Sequence, residues 1–256
     1  MTDPFFAEFD LASLSIWLFW IFFAGLIYYI QRENMREGFP LKDEDGEDHH
    51  AISFWSLPAD KTFKLPHDRG ELTVPSGQPE DRPNDSLALA RTNDADGFPY
   101  EPTGNPLVDG VGPAAWAPRR NEAELDAHGH PKIRPMAQVE GYFHVAGRDP
   151  RGLPVISGDG KVMGMVTEMW VDVPEQMVRY LEYKLESDGT KRLVPMTLAR
   201  IFGPKVIVKS LYAENFADVP MIVSETQITK LEEDKVSAYY GGGTLYASKD
   251  RLEPQL

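Results

Sequence analysis

The sequence contains no cysteine, and no lysine or arginine precedes Arg32. The first absence excludes disulfides, thiol nucleophiles and cysteine-ligated metals, and it gives no support to an oxidising compartment. Acidic residues outnumber basic ones by 40 to 26, which gives a formal net charge of −14. This charge argues against a nucleic-acid partner, whose phosphates attract basic patches, and against broad adhesion to anionic lipid headgroups.

Common catalytic motifs are also missing. The sequence has no G-x-S-x-G, no G-x-x-x-x-G-K-[ST] and no H-E-x-x-H. The glycine triplet at 241–243 follows a predicted helix rather than a strand, so it is a poor phosphate-binding loop and is better interpreted as a helix stop. No pair of carboxylates stands out from the acidic background. The sequence therefore favours a protein that is not an enzyme.

One long hydrophobic run lies near the N-terminus, at residues 11–30, with the sequence LASLSIWLFWIFFAGLIYYI and no charged side chain. Twenty residues of helix rise about 30 Å, which is the thickness of a bilayer's hydrocarbon core. The competing interpretation is a cleaved signal peptide, which needs a basic start, a shorter apolar run and a small-residue cleavage site. The chain has none of these features, so we predict a retained membrane span.

The charges that flank this span predict its orientation. Arg32, Arg36 and Lys42 follow it, whereas the only charged side chains that precede it are acidic. Basic residues favour the cytoplasmic side of a membrane. We therefore predict a single-pass protein in contact with lipid, with residues 1–10 in the periplasm and the remainder in the cytoplasm.

Composition divides the remainder into three parts. Residues 31–50 form a polar exit segment, and residues 51–118 are dense in proline. Proline fixes φ and removes a backbone donor, which excludes long helices there, but aromatic residues are too frequent for a disordered linker. We predict that 51–118 is ordered, extended chain packed on its own domain or on a partner, and that 119–256 forms a β-rich domain.

The β-rich domain is predicted from short apolar segments separated by turn signals. Strands are predicted at residues 161–173, 177–185, 192–199, 205–209 and 221–223. Asp159-Gly160 and Asp188-Gly189 are hairpin-type turn signals. Several short strands with turns between them indicate a small barrel or a strongly bent sheet. One helix is predicted at residues 225–239, closed by the glycines at 241–243.

The first candidate site is Asp126, His128 and His130, in the segment ELDAHGHPKI. Alternate residues of extended chain face the same side, so these side chains would converge on one patch. Histidine titrates near neutral pH and a carboxylate a few pH units lower. Such a patch would collect protons from water or bind a divalent metal such as zinc. The alternative is three exposed polar residues in a Gly/Pro loop.

The second candidate site is Asp172 and Glu175, in the segment WVDVPEQM, where they follow an apolar strand and flank Pro174. A carboxylate at the end of a buried strand lies in a low dielectric, which raises its pKa and suits it to relay protons. The alternative is an ordinary boundary between strand and turn with exposed acids. Spacing alone does not decide between the two.

Six stretches of the sequence resemble a known family. They are FDLASLSIWLFWIFFAGLIYYIQRENMREGFPL, DRGELTVP, DGVGPAAW, ELDAHGHPKI, WVDVPEQMVRYLE and LEEDKVSAYYGGG. From about Phe9 to Gly243, the chain is similar to the H subunit of the photosynthetic reaction centre of purple bacteria. The resemblance implies a single N-terminal transmembrane helix plus a mainly β cytoplasmic domain, PRC-barrel-like, with one short C-terminal helix. It also implies the bacterial inner membrane, in its intracytoplasmic photosynthetic form.

The function that the resemblance implies is structural and proton-conducting rather than catalytic. Such a subunit caps the cytoplasmic face of the L and M subunits, shields the quinone region and helps deliver protons to the secondary quinone. It binds no cofactor itself. Bacteriochlorophyll, bacteriopheophytin, quinones and non-haem iron are expected in the L and M subunits, and a light-harvesting antenna is expected around the complex.

The resemblance also implies roles for both candidate sites. The family's Asp-x-His-x-His motif lies at the proton entry surface and is open to block by divalent metal, and it matches Asp126, His128 and His130. The family's inner relay glutamate, in a Pro-Glu-Gln motif, matches Glu175. Asp172 is then expected to tune this glutamate, with Arg179 as a supporting charge. No native metal is expected.

Two other functions stay open at this point. A membrane-anchored cytoplasmic adaptor with a PRC-like domain would bind soluble partners and carry no pigment. A metal-dependent enzyme built on the two histidines would need a third strong ligand and an open coordination position. The sequence identifies neither a third ligand nor an open coordination position.

Overall fold

A computed structural model describes residues 10–42, 57–78, 82, 86–95, 97–139, 141 and 147–252. The chain divides into two compact units, Met1–Gln78 and Pro79–Leu256. Most of the predicted periplasmic segment, the polar exit after Lys42 and the start of the proline-rich segment lie outside the described residues. The domain boundaries predicted at residues 50 and 118 stay predictions.

The first unit contains helix α1, Leu11–Asn34. Asp10 caps it, because the Asp10 carboxylate accepts a hydrogen bond from the backbone N–H of Ser13 at 2.7 Å, which satisfies one free donor of the first turn. The helix is long and apolar enough to cross a membrane, and none of its residues is buried. The predicted helix is therefore confirmed, and it extends to Asn34.

The chain that follows α1 is held by a short polar network. Glu33 and Arg36 form an ion pair at 2.8 Å, and the Arg36 guanidinium also donates to the carbonyl oxygen of Ala59 at 2.7 Å. Strands β1 (Lys61–Lys64) and β2 (Glu71–Val74) then pair in an antiparallel two-stranded sheet.

The second unit begins with small elements and ends with a long helix. Its first elements are strands β3 (Leu89–Arg91) and β4 (Tyr100–Pro102), helix α2 (Pro106–Asp109) and a 3-10 turn at Gly112–Ala114, and its last helix is α3 (Lys230–Tyr246). The backbone N–H of Ala117 donates to the Asp234 carboxylate of α3 at 2.6 Å, and Arg119 donates to the same group at 3.2 Å. The end of the proline-rich segment therefore packs on its own domain.

A seven-stranded sheet forms the centre of this unit. Its strands are β5 (Ile133–Pro135), β6 (Pro154–Ile156), β7 (Val162–Asp172), β8 (Met177–Leu185), β9 (Lys191–Pro195), β10 (Arg200–Phe202) and β11 (Lys205–Ile207). The strand order is β10-β11-β6-β7-β8-β9, with β5 paired to β7. Strands β11 and β6 are parallel, and the other pairs are antiparallel.

The connection between β9 and β10 shows that this sheet is curled. The two strands lie at opposite ends of the strand order, yet only residues 196–199 separate them along the chain. This connection spans at most about 18 Å when fully extended. The sheet therefore bends until its two edges approach each other, as in the small barrel that the sequence predicts.

Large side chains from the sheet and from α3 fill the core. Trp170, Leu181, Tyr183 and Tyr240 are fully buried. The hydroxyl groups of Tyr183 and Tyr240 lie 2.9 Å apart and share a hydrogen bond, so neither is left unsatisfied in the core. Burial raises the pKa of both phenols.

The two longest predicted strands are confirmed as β7 and β8, but the predictions for their neighbours need correction. The strand predicted at 192–199 ends at Pro195, which has no N–H to continue a ladder, and a 3-10 turn follows. The strand predicted at 205–209 ends at Ile207. Residues 221–223 form no strand, and the N–H of Val223 donates instead to the Glu232 carboxylate at 2.8 Å.

The predicted bounds of the C-terminal helix are wrong at both ends. Helix α3 begins after Thr229, whose hydroxyl accepts from the backbone N–H of Glu232 while the Glu232 carboxylate accepts from the Thr229 N–H. It then continues through all three glycines to Tyr246. A Cβ at Gly242 would collide with Ala114, and one at Gly243 would collide with the segment at Ser210. Gly242 and Gly243 therefore allow close packing and do not end the helix.

Replacing Gly242 with alanine should lower the free energy of unfolding by about 1–3 kcal/mol, because the added methyl group overpacks the contact with Ala114. Helix propensity alone would act in the opposite direction by about 0.5–1 kcal/mol. The measurement is chemical unfolding of the full chain in detergent, followed by circular dichroism. Gly241→Ala is the matched control, because no atom lies within 4 Å of its added Cβ, and it should be stabilising. Stabilisation by both changes would contradict the packing role.

Candidate functional site

The first candidate site lies at the tip of a tight hairpin, residues 124–132. The backbone N–H of Asp126 donates to the His130 carbonyl at 2.8 Å, and the N–H of Lys132 donates to the Glu124 carbonyl at 2.8 Å. These bonds bring the two arms of the hairpin together. The chain therefore reverses its direction between Asp126 and His130.

The carboxylate of Asp126 organises this turn. One of its oxygens accepts the backbone N–H of His128 at 2.8 Å and that of His130 at 2.9 Å, as short polar side chains do in turns. Gly129 adopts a φ of 84°, in the left-handed region that favours glycine. The predicted extended geometry is therefore wrong, and the motif is brought together by a turn instead.

Both histidine side chains of this turn are exposed, while the Asp126 side chain is only 11% exposed. The His130 Nδ1 lies 3.6 Å from an Asp126 carboxylate oxygen, and the two imidazole rings lie 6.5 Å apart between centroids. Within the described ranges, no three histidine or acidic side chains come close enough to hold a metal ion. Divalent-metal binding at this motif stays a prediction.

The electrostatics of the turn keep its carboxylate ionised. The backbone N–H groups of His130 and His128, followed by the positive charge of protonated imidazoles, lower the pKa of Asp126. The turn therefore places an ionised carboxylate beside two exposed imidazole rings.

The base of the hairpin is fixed to the end of strand β7. The Lys132 ammonium donates to the Glu124 carboxylate at 2.7 Å, and the backbone N–H of Val173 donates to the Lys132 carbonyl at 2.9 Å. The Glu124 hydrogen bond raises the pKa of Lys132, and the charges of Asp172 and Glu175 raise it further. The Lys132 ammonium is thus within reach of the negative charges of the second candidate site.

The second candidate site lies in the turn that joins β7 to β8. Asp172 is 5% exposed and ends β7, and its carboxylate accepts the backbone N–H of Glu175 at 3.1 Å. The Glu175 and Arg179 side chains are exposed. In the described part of the chain, Arg179 forms no salt bridge with either acid. The structure thus places Asp172 in the low dielectric expected for it and Glu175 at the surface of the chain.

A polar cavity of about 390 Å³ lies beside this base, and Arg179 lines it together with Glu124, Tyr180 and Glu233. The Tyr180 hydroxyl donates to the Glu233 carboxylate at 3.0 Å. Burial raises the pKa of Glu233, so this carboxyl is easier to protonate than an exposed one. Arg179 therefore contributes its charge to this cavity.

Sequence reasoning missed Glu124, Lys132 and Glu233. A signal for the first two exists, because they carry opposite charges and lie at equal distances from His128 on either side of the turn. No sequence signal marks Glu233, because its burial depends on Tyr180, which is distant along the chain.

Two family models match the chain. Residues 3–138 match the photosynthetic reaction centre, H-chain N-terminal region, and this match covers more than half of the 256 residues. The chain belongs to this family. Residues 144–215 match the PRC-barrel domain, and they include strands β6 to β11. The curled sheet is therefore a PRC barrel.

These matches confirm the family resemblance and the fold class. The chain has one N-terminal helix long enough to span a membrane, a mainly β remainder with a PRC barrel and a C-terminal helix. Family membership implies association with a reaction-centre complex. Together with α1, it indicates a membrane location.

Replacing Asp126 with asparagine should reduce stability at neutral pH, and the difference from wild type should shrink in acid. The folded-state pKa of Asp126 is lowered, so its contribution is present above the unfolded value of about 3.9 and is lost as pH falls through the folded value. The measurement is the free energy of unfolding from about pH 6 down to pH 2.5. Asp94→Asn, at an exposed carboxylate, is the control. A difference that grows in acid would contradict the assignment.

Proposed function

We propose that this chain caps the cytoplasmic face of the L and M subunits, shields the quinone region and helps deliver protons to the secondary quinone. Family membership supports the association with a reaction centre. In this proposal α1 crosses the bacterial inner membrane, residues 1–10 lie in the periplasm and the rest lies in the cytoplasm. The basic residues that follow the helix support this orientation.

Quinone chemistry explains why such a subunit would conduct protons. Reduction of a quinone to a quinol takes two electrons and two protons. A quinone buried in protein receives these protons only through titratable groups or water. The pigments, quinones and non-haem iron belong to the L and M subunits in this proposal, with an antenna around the complex. This chain therefore contributes no catalytic group of its own.

The observation that carries the proposal is the hairpin at 124–132. Its tip presents exposed His128 and His130 beside an ionised Asp126, and its base pairs with strand β7, where Ile133 lies opposite Asp172. In this proposal, the hairpin and β5 connect the proton-exchanging surface to a buried carboxylate.

Protons would move along this hairpin from tip to base. The two imidazoles exchange protons with the cytoplasm beside the ionised Asp126. Asp172 and Glu175 at the end of β7 receive the protons and pass them inward. The Lys132 ammonium at the base of the hairpin is paired with Glu124, and the charges of Asp172 and Glu175 raise its pKa, so it stays protonated beside the proposed route.

Replacing both His128 and His130 with alanine should slow the proton-coupled transfer of the second electron to the secondary quinone by about tenfold or more, because both proton carriers are removed. The measurement is flash-induced absorbance kinetics on the purified complex across pH 6–9. His67→Ala, at an exposed histidine of the first unit, is the control. Unchanged kinetics in the double variant would refute the proton-entry role.

Replacing Glu175 with glutamine should slow the same electron-transfer step by about tenfold, because an amide does not carry a proton. The early charge separation should keep its rate, since the pigments lie in other chains. Glu186→Gln, an exposed acid after β8, serves as the matched control. Equal effects of the two substitutions would show a general loss of surface charge instead of a relay.

A further inference from the structure

A cavity of about 400 Å³ on the PRC-barrel side of the second unit takes no part in the proposed proton route. Its polar lining consists of Thr197, Arg200, Lys209, Ser210, Thr244 and Arg251. Among the residues that the structure describes, no carboxylate lines it, although the chain has a net charge of −14. The three cations of this lining therefore oppose the sign of the overall charge.

The hydroxyl of Ser210 is the most informative group in this lining. Ser210 is 7% exposed, and its Oγ has no hydrogen-bond partner among the residues that the structure describes. The Ser210 carbonyl is already engaged by Arg251 at 2.8 Å. Buried hydroxyls are nearly always hydrogen-bonded, and the Ser210 hydroxyl still has its hydrogen to donate.

The guanidinium of Arg251 is held rigidly at the same wall. It donates to the carbonyls of Ser210 and Gly243 at 2.8 Å and to that of Lys209 at 2.9 Å. It also stacks over the Tyr212 ring at 4.3 Å. A guanidinium has five N–H donors, and these bonds do not use all of them. Arg251 is thus a preorganised charge with donors to spare.

Arg200 and Lys209 supply two further charges. Both side chains are exposed at the cavity, and within the described ranges neither forms a salt bridge with an acid. Arg200 is fixed on strand β10, opposite Ile207 of β11, and its guanidinium lies 5.6 Å from the Phe202 ring. Among the described residues, no acid pairs with either of their positive charges.

We propose that this cavity binds a phosphate group. A phosphate group presents several strong acceptor oxygens and a net negative charge, which suits several cations and hydroxyl donors at once. The cavity has room for a small organic part attached to the phosphate. The ligand is a small phosphate monoester or the headgroup of an anionic phospholipid, and Ser210 donates its hydroxyl hydrogen to a phosphate oxygen in both cases.

Titration calorimetry on the full chain in non-ionic detergent tests this site, with inorganic phosphate at pH 7.5 as the probe. Wild type should bind it saturably. Arg200→Gln with Lys209→Gln should weaken binding by about tenfold or more, because two charge-assisted contacts are lost. Ser210→Ala should weaken it by about threefold without changing the net charge. The matched control is Arg148→Gln with Lys184→Gln, two exposed cations that do not line the cavity, and it should bind as wild type does.

Short-chain lipids separate the two sources of phosphate. Variant-sensitive binding of dihexanoyl-phosphatidylglycerol that far exceeds binding of inorganic phosphate would assign the site to a lipid headgroup. Dihexanoyl-phosphatidylcholine, which is zwitterionic, is the control lipid. Inorganic phosphate that binds as well as the lipid would assign the site to a soluble phosphate.

The proposal is overturned if neither probe binds wild type with a Kd below about 10 mM, or if both double variants weaken binding equally. If Arg200→Gln with Lys209→Gln loses its fold by circular dichroism, Ser210→Ala and the single Arg200→Gln decide the question. Wild-type affinity in both of these would also overturn it.

Discussion

Strands β7 and β8 hydrogen-bond to each other through eight residue pairs, and both candidate proton sites are attached to this ladder. Side chains of both strands, among them Trp170, Leu181 and Tyr183, are fully buried and fix the pairing register, which shifts at two points along the ladder. The turn between the strands carries Asp172 and Glu175. Strand β5, which continues directly from the histidine hairpin, pairs with the end of β7. A change in this register would displace both sites together.

Two buried acids of this domain accept hydrogen bonds. Glu182 of β8 is 5% exposed, and it accepts hydrogen bonds from Thr167 at 2.8 Å and from the Trp170 indole at 3.3 Å. Asp172 accepts a backbone N–H. The buried Ser210 hydroxyl has no partner within the described residues, and neither do the Nε atoms of Arg134 and Arg192. Of these groups, only Ser210 lines the cavity with Arg200, Lys209 and Arg251.

The sequence predicts the elements that are long enough to show a repeating apolar pattern. Strands β7 and β8 are long enough to show an alternating apolar pattern, and the Asp-Gly turns beside them adopt positive φ at Gly160 and Gly189. Strands β5, β6 and β10 have three residues each, which is too short for a pattern. Local propensity predicts that the glycines at 241–243 end the helix, whereas the contact of Gly242 with Ala114, which keeps that position small, is a tertiary one.

The sequence by itself determined the membrane helix, the family and the residue types of both candidate sites. A hydrophobic run and a motif are local properties, and no distant residue alters them. Only the tertiary structure decided which titratable groups are buried and paired, because burial comes from chain segments far apart in sequence. Glu233 is covered through Tyr180 of β8, and the hairpin of Asp126, His128 and His130 is anchored by β7. The turn that joins these three residues replaced the extended strand that their spacing predicted.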